Sequence, residues 1–157
     1  MRNIEFVVRA GEKPPRAFLK KWLPAIYKEL QRSSHQRSSL GIRRLKVLKG
    51  ASHISLVFVS TKEMKQLNKT YRGKNRATDV LSFAPTEPGS LGELVFSLSV
   101  LQSQAEEHGL SLNMELGYMV LHGVLHLLGL DHERSVSEAK RMFRIQDKVF
   151  DAVGSRW

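Results

Sequence analysis

Apolar residues recur along this chain with two periods, one near two and one near 3.6, and the changes between them mark its elements. Residues 4–9, IEFVVR, are β-rich and stop before Gly11, which predicts a first strand. Over 14–31, PPRAFLKKWLPAIYKELQ sets Phe18, Trp22, Leu23, Ile26, Tyr27 and Leu30 on a helical stripe. Pro24 conflicts with a helix interior, so a late start or a kink is expected there. The polar, basic stretch 32–50 contains a possible short strand at 44–48 and is otherwise expected to be mobile. HISLVFVS (53–60) is a strong strand pattern, and Ser60 and Thr61 read as the cap of a helix over 61–70. A turn-rich basic loop then runs through 71–83 into a short apolar strand, followed by a loop at 84–92 and a strand at 93–99.

Three helices follow, at 100–108, 112–128 and 134–153. The second is apolar almost all round, so it is expected at the centre of the fold. The third carries Met142, Ile145, Val149 and Val153 at helical spacing after a Ser135-x-x-Glu138 cap pattern. Mixed strands and helices, with the best helices C-terminal, predict an α+β fold. The expectation is a single domain over 1–157, a small mixed β-sheet packed with helices.

Composition narrows the chemistry. The chain has no cysteine, which excludes a disulfide framework, a thiolate zinc site and an iron–sulfur cluster. No apolar run approaches the roughly 18 residues of a membrane helix, and the first residues lack the apolar core of a signal peptide. A soluble, cytoplasmic protein with no membrane partner is expected. The formal net charge of +10 points to a polyanionic partner, nucleic acid foremost.

The central helical segment ends in LHGVLHLLGLDHE (121–133). His122 and His126 are four residues apart, so a helix brings both rings to one face, one turn apart. Gly129 stands where a helix ending in a left-handed residue would place it, and such a stop turns His132 back towards the other two. One histidine on an apolar helix is commonly a core residue. Three at this spacing point to a metal, with zinc the natural ion for imidazole ligands, although nickel, copper and iron accept the same donors. Three protein ligands leave a fourth position open, as catalytic zinc sites do. Asp131 or another carboxylate is the expected partner that orients a ring. The spacing also matches the metzincin peptidases, but their mechanism needs a glutamate after the first histidine, and this chain has Gly123.

A second cluster, LNKTYRGKNRATDVLSF (67–83), gathers Lys69, Arg72, Lys74 and Arg76 around a glycine turn, a plausible phosphate clamp. Tyr71-Arg72-Gly73-Lys74, then Thr78-Asp79-Val80-Leu81-Ser82-Phe83, Leu91-Gly92-Glu93 and HGVLHLLGLDHE together resemble the YbeY endoribonucleases, bacterial rRNA maturation factors. The resemblance covers about 53–151. It departs at Glu93, where aspartate is more usual, and over residues 1–52. It implies one zinc per chain on His122, His126 and His132, with Arg72 as the functional arginine near the metal. It further implies a single-strand-directed endoribonuclease in 16S rRNA 3′-end maturation and ribosome quality control, with ribosomal RNA precursor and the small subunit as partners. A different class, a non-catalytic zinc-stabilised RNA-binding assembly factor, fits the same residues; there Arg72 only grips RNA.

Overall fold

The strand β2 (His53–Phe58) divides its side chains between two apolar clusters. Ile54, Leu56 and Phe58 point into the larger one, and Val57 points into the smaller one on the opposite face. Strand β4 (Ser90–Phe96) repeats this, with Leu94 and Phe96 on the first side and Val95 on the second. A period of two with both faces apolar requires cover on both sides, and the helices supply it. The computed structural model describes residues 3–9, 11, 13–35 and 45–155. With β1 (Asn3–Val8) and β3 (Val80–Phe83), the strands form one sheet in the order β1-β2-β4-β3. The β1–β2 and β2–β4 pairs are parallel and β3–β4 is antiparallel, so the sheet is mixed and the fold α+β, as expected.

On the larger cluster lie α1 (Arg16–His35), α5 (Leu112–Leu127) and α6 (Val136–Gly154), with α2 (Leu45–Gly50) and α4 (Leu98–His108) at its margins. The helix α3 (Thr61–Arg72) covers the other face through Met64 and Leu67. Helix α5 is central, as its all-round apolarity predicts: Leu116, Val120, Leu121, Val124 and Leu125 are all buried. Trp22 of α1 anchors to it, its Nε1 donating to the Gly117 carbonyl at 2.9 Å. The cap patterns hold: Ser60 Oγ accepts from the Glu63 N–H and Ser135 Oγ from the Glu138 N–H.

Three expectations need correction. Helix α1 runs through Pro24 without starting late. Trp22 and Leu23 before the proline and Ile26 and Leu30 after it are fully buried, and this packing outweighs the roughly 3 kcal/mol of a helical proline. The strand expected at 44–48 is instead the helix α2, where Leu48 is buried and Val47 packs against the core; residue 44 lies outside the described residues. Six residues are too few for periodicity to tell helix from strand. Of the stretch 32–50, expected to be mobile, 36–44 lie outside the described residues, while 32–35 belong to α1 and 45–50 to α2. The strand expected at 93–99 ends at Phe96, and Leu98 and Ser99 already belong to α4.

Candidate functional site

The helix α5 presents His122 and His126 one turn apart, with ring centroids 4.7 Å apart and Nε2 atoms 3.1 Å apart. It stops as its glycine predicts. Gly129 is left-handed at φ +87°, its N–H donates to the His126 carbonyl, and the Leu130 N–H donates to the Leu125 carbonyl. These two bonds make a Schellman ending. The chain reverses and sets the His132 ring 5.1 Å from His122 and 5.2 Å from His126, centroid to centroid. One ring nitrogen from each histidine lies within 4.8 Å of the others.

The His122 ring is held for ligation. Gln146 of α6 is fully buried; its amide donates to the Tyr118 carbonyl, and its Oε1 accepts from His122 Nδ1 at 2.9 Å. With the proton on Nδ1, the Nε2 lone pair of neutral His122 faces inward. Burial pushes the His122 pKa down, and it pushes that of His126 down to about 4 with help from the neighbouring His122 and His132. Imidazole nitrogens gathered in this way suit a cation. Two nitrogens bound to zinc at about 2.0–2.1 Å with tetrahedral angles stand about 3.3 Å apart, close to the 3.1 Å found here. The His122–His126 pair is therefore spaced as two ligands of a zinc-sized ion, and the three histidines together form a group that could hold a metal ion.

The ring partner is thus Gln146, whereas a carboxylate was expected. Asp131 is occupied elsewhere: it accepts from the Glu133 N–H at 2.9 Å and pairs with Arg134 at 3.2 Å. The clue to Gln146 was a polar residue inside the apolar stripe of α6. The clue to Glu133, the other group that escaped notice, was only its place beside His132.

Arg72, Lys74 and Arg76 line the same cleft as the three histidines, a cavity of about 530 Å³. Lys69 is exposed and is not among the lining residues. Arg72 does not sit on a loop. It is the last residue of α3, where a cation complements the helix dipole, and Gly73 caps the helix in the left-handed conformation. Glu133 ties the basic cluster to the histidine turn: its carboxylate accepts from Arg72 Nη2 and, at 3.1 Å, from Lys74 Nζ. The Lys74 hydrogen bond leads among the interactions that lower the Glu133 pKa, with Arg72 beside it. Asp79 shapes the entry to β3; its Oδ1 accepts from the Val80 N–H at 2.7 Å and from Thr78 Oγ1 at 3.0 Å. Tyr118 also lines the cleft; burial and its bond to Asp147 push its phenol up to about 12, so it stays protonated near neutral pH.

Position 123 faces the sheet, against Leu94 of β4 and Ser82 of β3. A Cβ on Gly123 would stand 2.6 and 3.1 Å from the two Leu94 methyls and 3.3 Å from Ser82 Oγ. The glycine lets α5 lie close on the sheet, and a peptidase glutamate has no room there. Leu94 is fully buried and cannot turn both methyls away. Overpacking of this kind costs about 1–3 kcal/mol, against about 1 kcal/mol of better helix propensity. Gly123→Ala is expected to lower stability by about 1 kcal/mol net on those figures. A urea midpoint that stays level or rises contradicts this account of the contact.

Comparison with known proteins gives the family. The family profile described as Endoribonuclease YbeY matches residues 19–154. An Endoribonuclease YbeY of Bdellovibrio bacteriovorus is 48% identical over 139 residues, covering 88% of this chain and 87% of its own. One from Halalkalibacterium halodurans is 42% identical over 123 residues, covering 69% and 77%. A solution structure of a Thermotoga maritima protein superposes with a TM-score of 0.63 at 28% identity, covering 99% of this chain and 91% of that one. With a family match along most of its length and relatives this similar, the chain belongs to the Endoribonuclease YbeY family.

Proposed function

We propose that this protein is a cytoplasmic, zinc-dependent, single-strand-directed endoribonuclease that matures the 3′ end of 16S rRNA and acts in ribosome quality control, with precursor rRNA and the small subunit as partners. The observation that carries this reading is one cleft with three inward-facing histidines on one wall and Arg72, Lys74 and Arg76 on the other. Zinc bound there supplies Lewis acidity towards a phosphoryl oxygen and acidifies water. His122, His126 and His132 hold it with neutral nitrogens, and Gln146 keeps the His122 ring turned inward. Arg72 is the catalytic residue of the reading: its guanidinium neutralises the charge that builds on the phosphoryl oxygens in the transition state. Lys74 and Arg76 hold neighbouring backbone phosphates without reading sequence. Whether water or the ribose 2′-hydroxyl attacks is read from the product end, which carries a cyclic phosphate only in the second case.

Metal analysis of protein purified without chelator is expected to return about one zinc per chain. The same protein is expected to cut single-stranded rRNA precursor, to stop on chelation and to resume on zinc addition. Metal-free, well-folded protein that cuts equally well refutes the reading. Zinc-loaded protein that binds RNA and never cuts it favours the binding-module alternative. Binding is also expected to weaken with salt. Three cation–phosphate contacts to a single strand give a slope of about −2 in log K against log salt, or about fifteenfold between 50 and 200 mM. A flat salt profile contradicts backbone recognition by Arg72, Lys74 and Arg76.

A further inference from the structure

Beyond the histidine cleft, the outer face of α6 carries an arrangement that the chemistry so far leaves unused. Phe143 is a large apolar side chain that is 40% exposed, and Val136, the first residue of the same helix, is 73% exposed. Exposed apolar groups of this size beside a functional cleft mark a place where something docks. Val136, Ala139 and Phe143 share one groove with Lys140, Arg144 and Asp147. Phe143 also lines the histidine cleft, as do His132 and Glu133, so the groove adjoins the cleft at these three residues. The Phe143 ring centroid lies 5.5 Å from that of His132 and 6.3 Å from that of His122. An occupant of this groove therefore starts next to the metal ligands. Of the groove's two carboxylates, Glu133 is held by Arg72 and Lys74, and Asp147 accepts from the Tyr118 hydroxyl at 3.0 Å. Lys140 and Arg144 are exposed on either side of the ring in sequence.

An apolar aromatic face flanked by two cations is complementary to one unstacked nucleotide, base on ring and phosphate on cation. We infer that Phe143, with Val136 and Ala139 beside it, is a stacking platform for the nucleobase flanking the reacting phosphate, and that Lys140 and Arg144 hold the next phosphate of the strand. This subsite rests on the nuclease reading and deepens it. A base paired in a duplex is stacked on its neighbours and cannot turn onto the ring, so the platform selects single strands. It reads a π-face, so it tolerates every base.

The test uses zinc-loaded, full-length protein and a single-stranded RNA of about twelve nucleotides, within the range that such sites span. Once the cut bond is mapped, an abasic nucleotide is moved through the strand with the unaltered protein. Cleavage efficiency is expected to fall about five- to 150-fold when the base flanking that bond is missing, the range set by one base–aromatic stack. 2-Aminopurine at that nucleotide is expected to be quenched on binding. Phe143→Leu, which keeps apolar bulk without a π-face, should lose a similar factor on intact RNA and nothing more on the abasic strand, while Phe143→Trp should retain both efficiency and quenching. If Phe143 only buttresses the histidines, Phe143→Leu lowers zinc content, or impairs intact and abasic strands alike, and the platform is refuted. A flat abasic scan with normal cleavage refutes the platform and leaves the nuclease reading standing. Failure of the unaltered, zinc-loaded protein to bind or cut RNA refutes both.

Discussion

Replacing His126 with alanine is expected to abolish metal binding and RNA cleavage together while leaving the protein folded. Three nitrogens converge on one point, and two of them are already 3.1 Å apart. Loss of a partner that merely orients a ligand weakens metal binding about ten- to a hundredfold, and loss of the ligand itself must exceed that. The fold is spared for a local reason. His126 sits near the end of α5, where alanine is the better helix former, and its removal relieves a desolvated ring. Zinc analysis, single-turnover cleavage and a thermal melt on one preparation check all three outcomes. A variant that keeps stoichiometric zinc shows that the metal is held elsewhere.

The same histidines make metal-free protein sensitive to acid. The unfolded chain protonates His126 near the ordinary 6.5, whereas the folded protein resists protonation until about 4. Between those values the unfolded state binds more protons, so stability is full above 6.5 and is lost as pH falls towards 4. His122, also lowered by burial, adds to the loss in the same direction. Denaturant midpoints of metal-free protein at stepped pH should fall through this window, and those of His126→Ala should fall less steeply. Parallel curves contradict the burial account of the site.

Arg72→Ala is expected to keep zinc and fold and to lose single-turnover cleavage by about a hundred- to a thousandfold, the usual effect of removing one charged donor from a transition state. Arg72 is a half-exposed terminal residue of α3 and no metal ligand, so its truncation leaves the core and the histidines untouched. RNA affinity is expected to fall far less, because Lys74, Arg76 and the remaining basic surface share the backbone contacts. Glu133 stays paired with Lys74 in the variant. Arg72→Lys should recover little, since an ammonium cannot present the planar fork of a guanidinium to two phosphoryl oxygens. Cleavage and equilibrium binding on one RNA separate the outcomes. Normal cleavage, or equal loss of both quantities, contradicts a catalytic role and favours the binding module.

Much of the histidine cluster was legible because its geometry is local. Four residues on a helix bring two rings to one face whatever surrounds them, and a glycine at the helix end reverses the chain over three residues. His132 needed no long-range contact to return. The burial of α5 was equally plain, since a helix apolar on every side has no stable place except the centre. The cap serines Ser60 and Ser135 were readable for the same reason: their bonds span three residues. Where expectation failed, distant packing outweighed a local rule. Pro24 lies inside a helix whose flanks are held by buried Trp22 and Ile26, and residues 45–50 coil because Leu48 fits the core from a helix.

The sequence by itself determined the α+β class, the three histidines as one group, and a basic cluster suited to phosphate. That the two groups face each other was decided only in three dimensions. Arg72 and Glu133 are 61 residues apart and meet because α3 covers one face of the sheet and ends beside the turn that follows α5. Gln146 reaches His122 across 24 residues because α6 packs against α5, and no spacing rule links those positions. The same packing turns Phe143 outward beside His132. Periodicity reports which face of an element is buried; it carries no record of which other element buries it, because that choice belongs to the packing of the whole core.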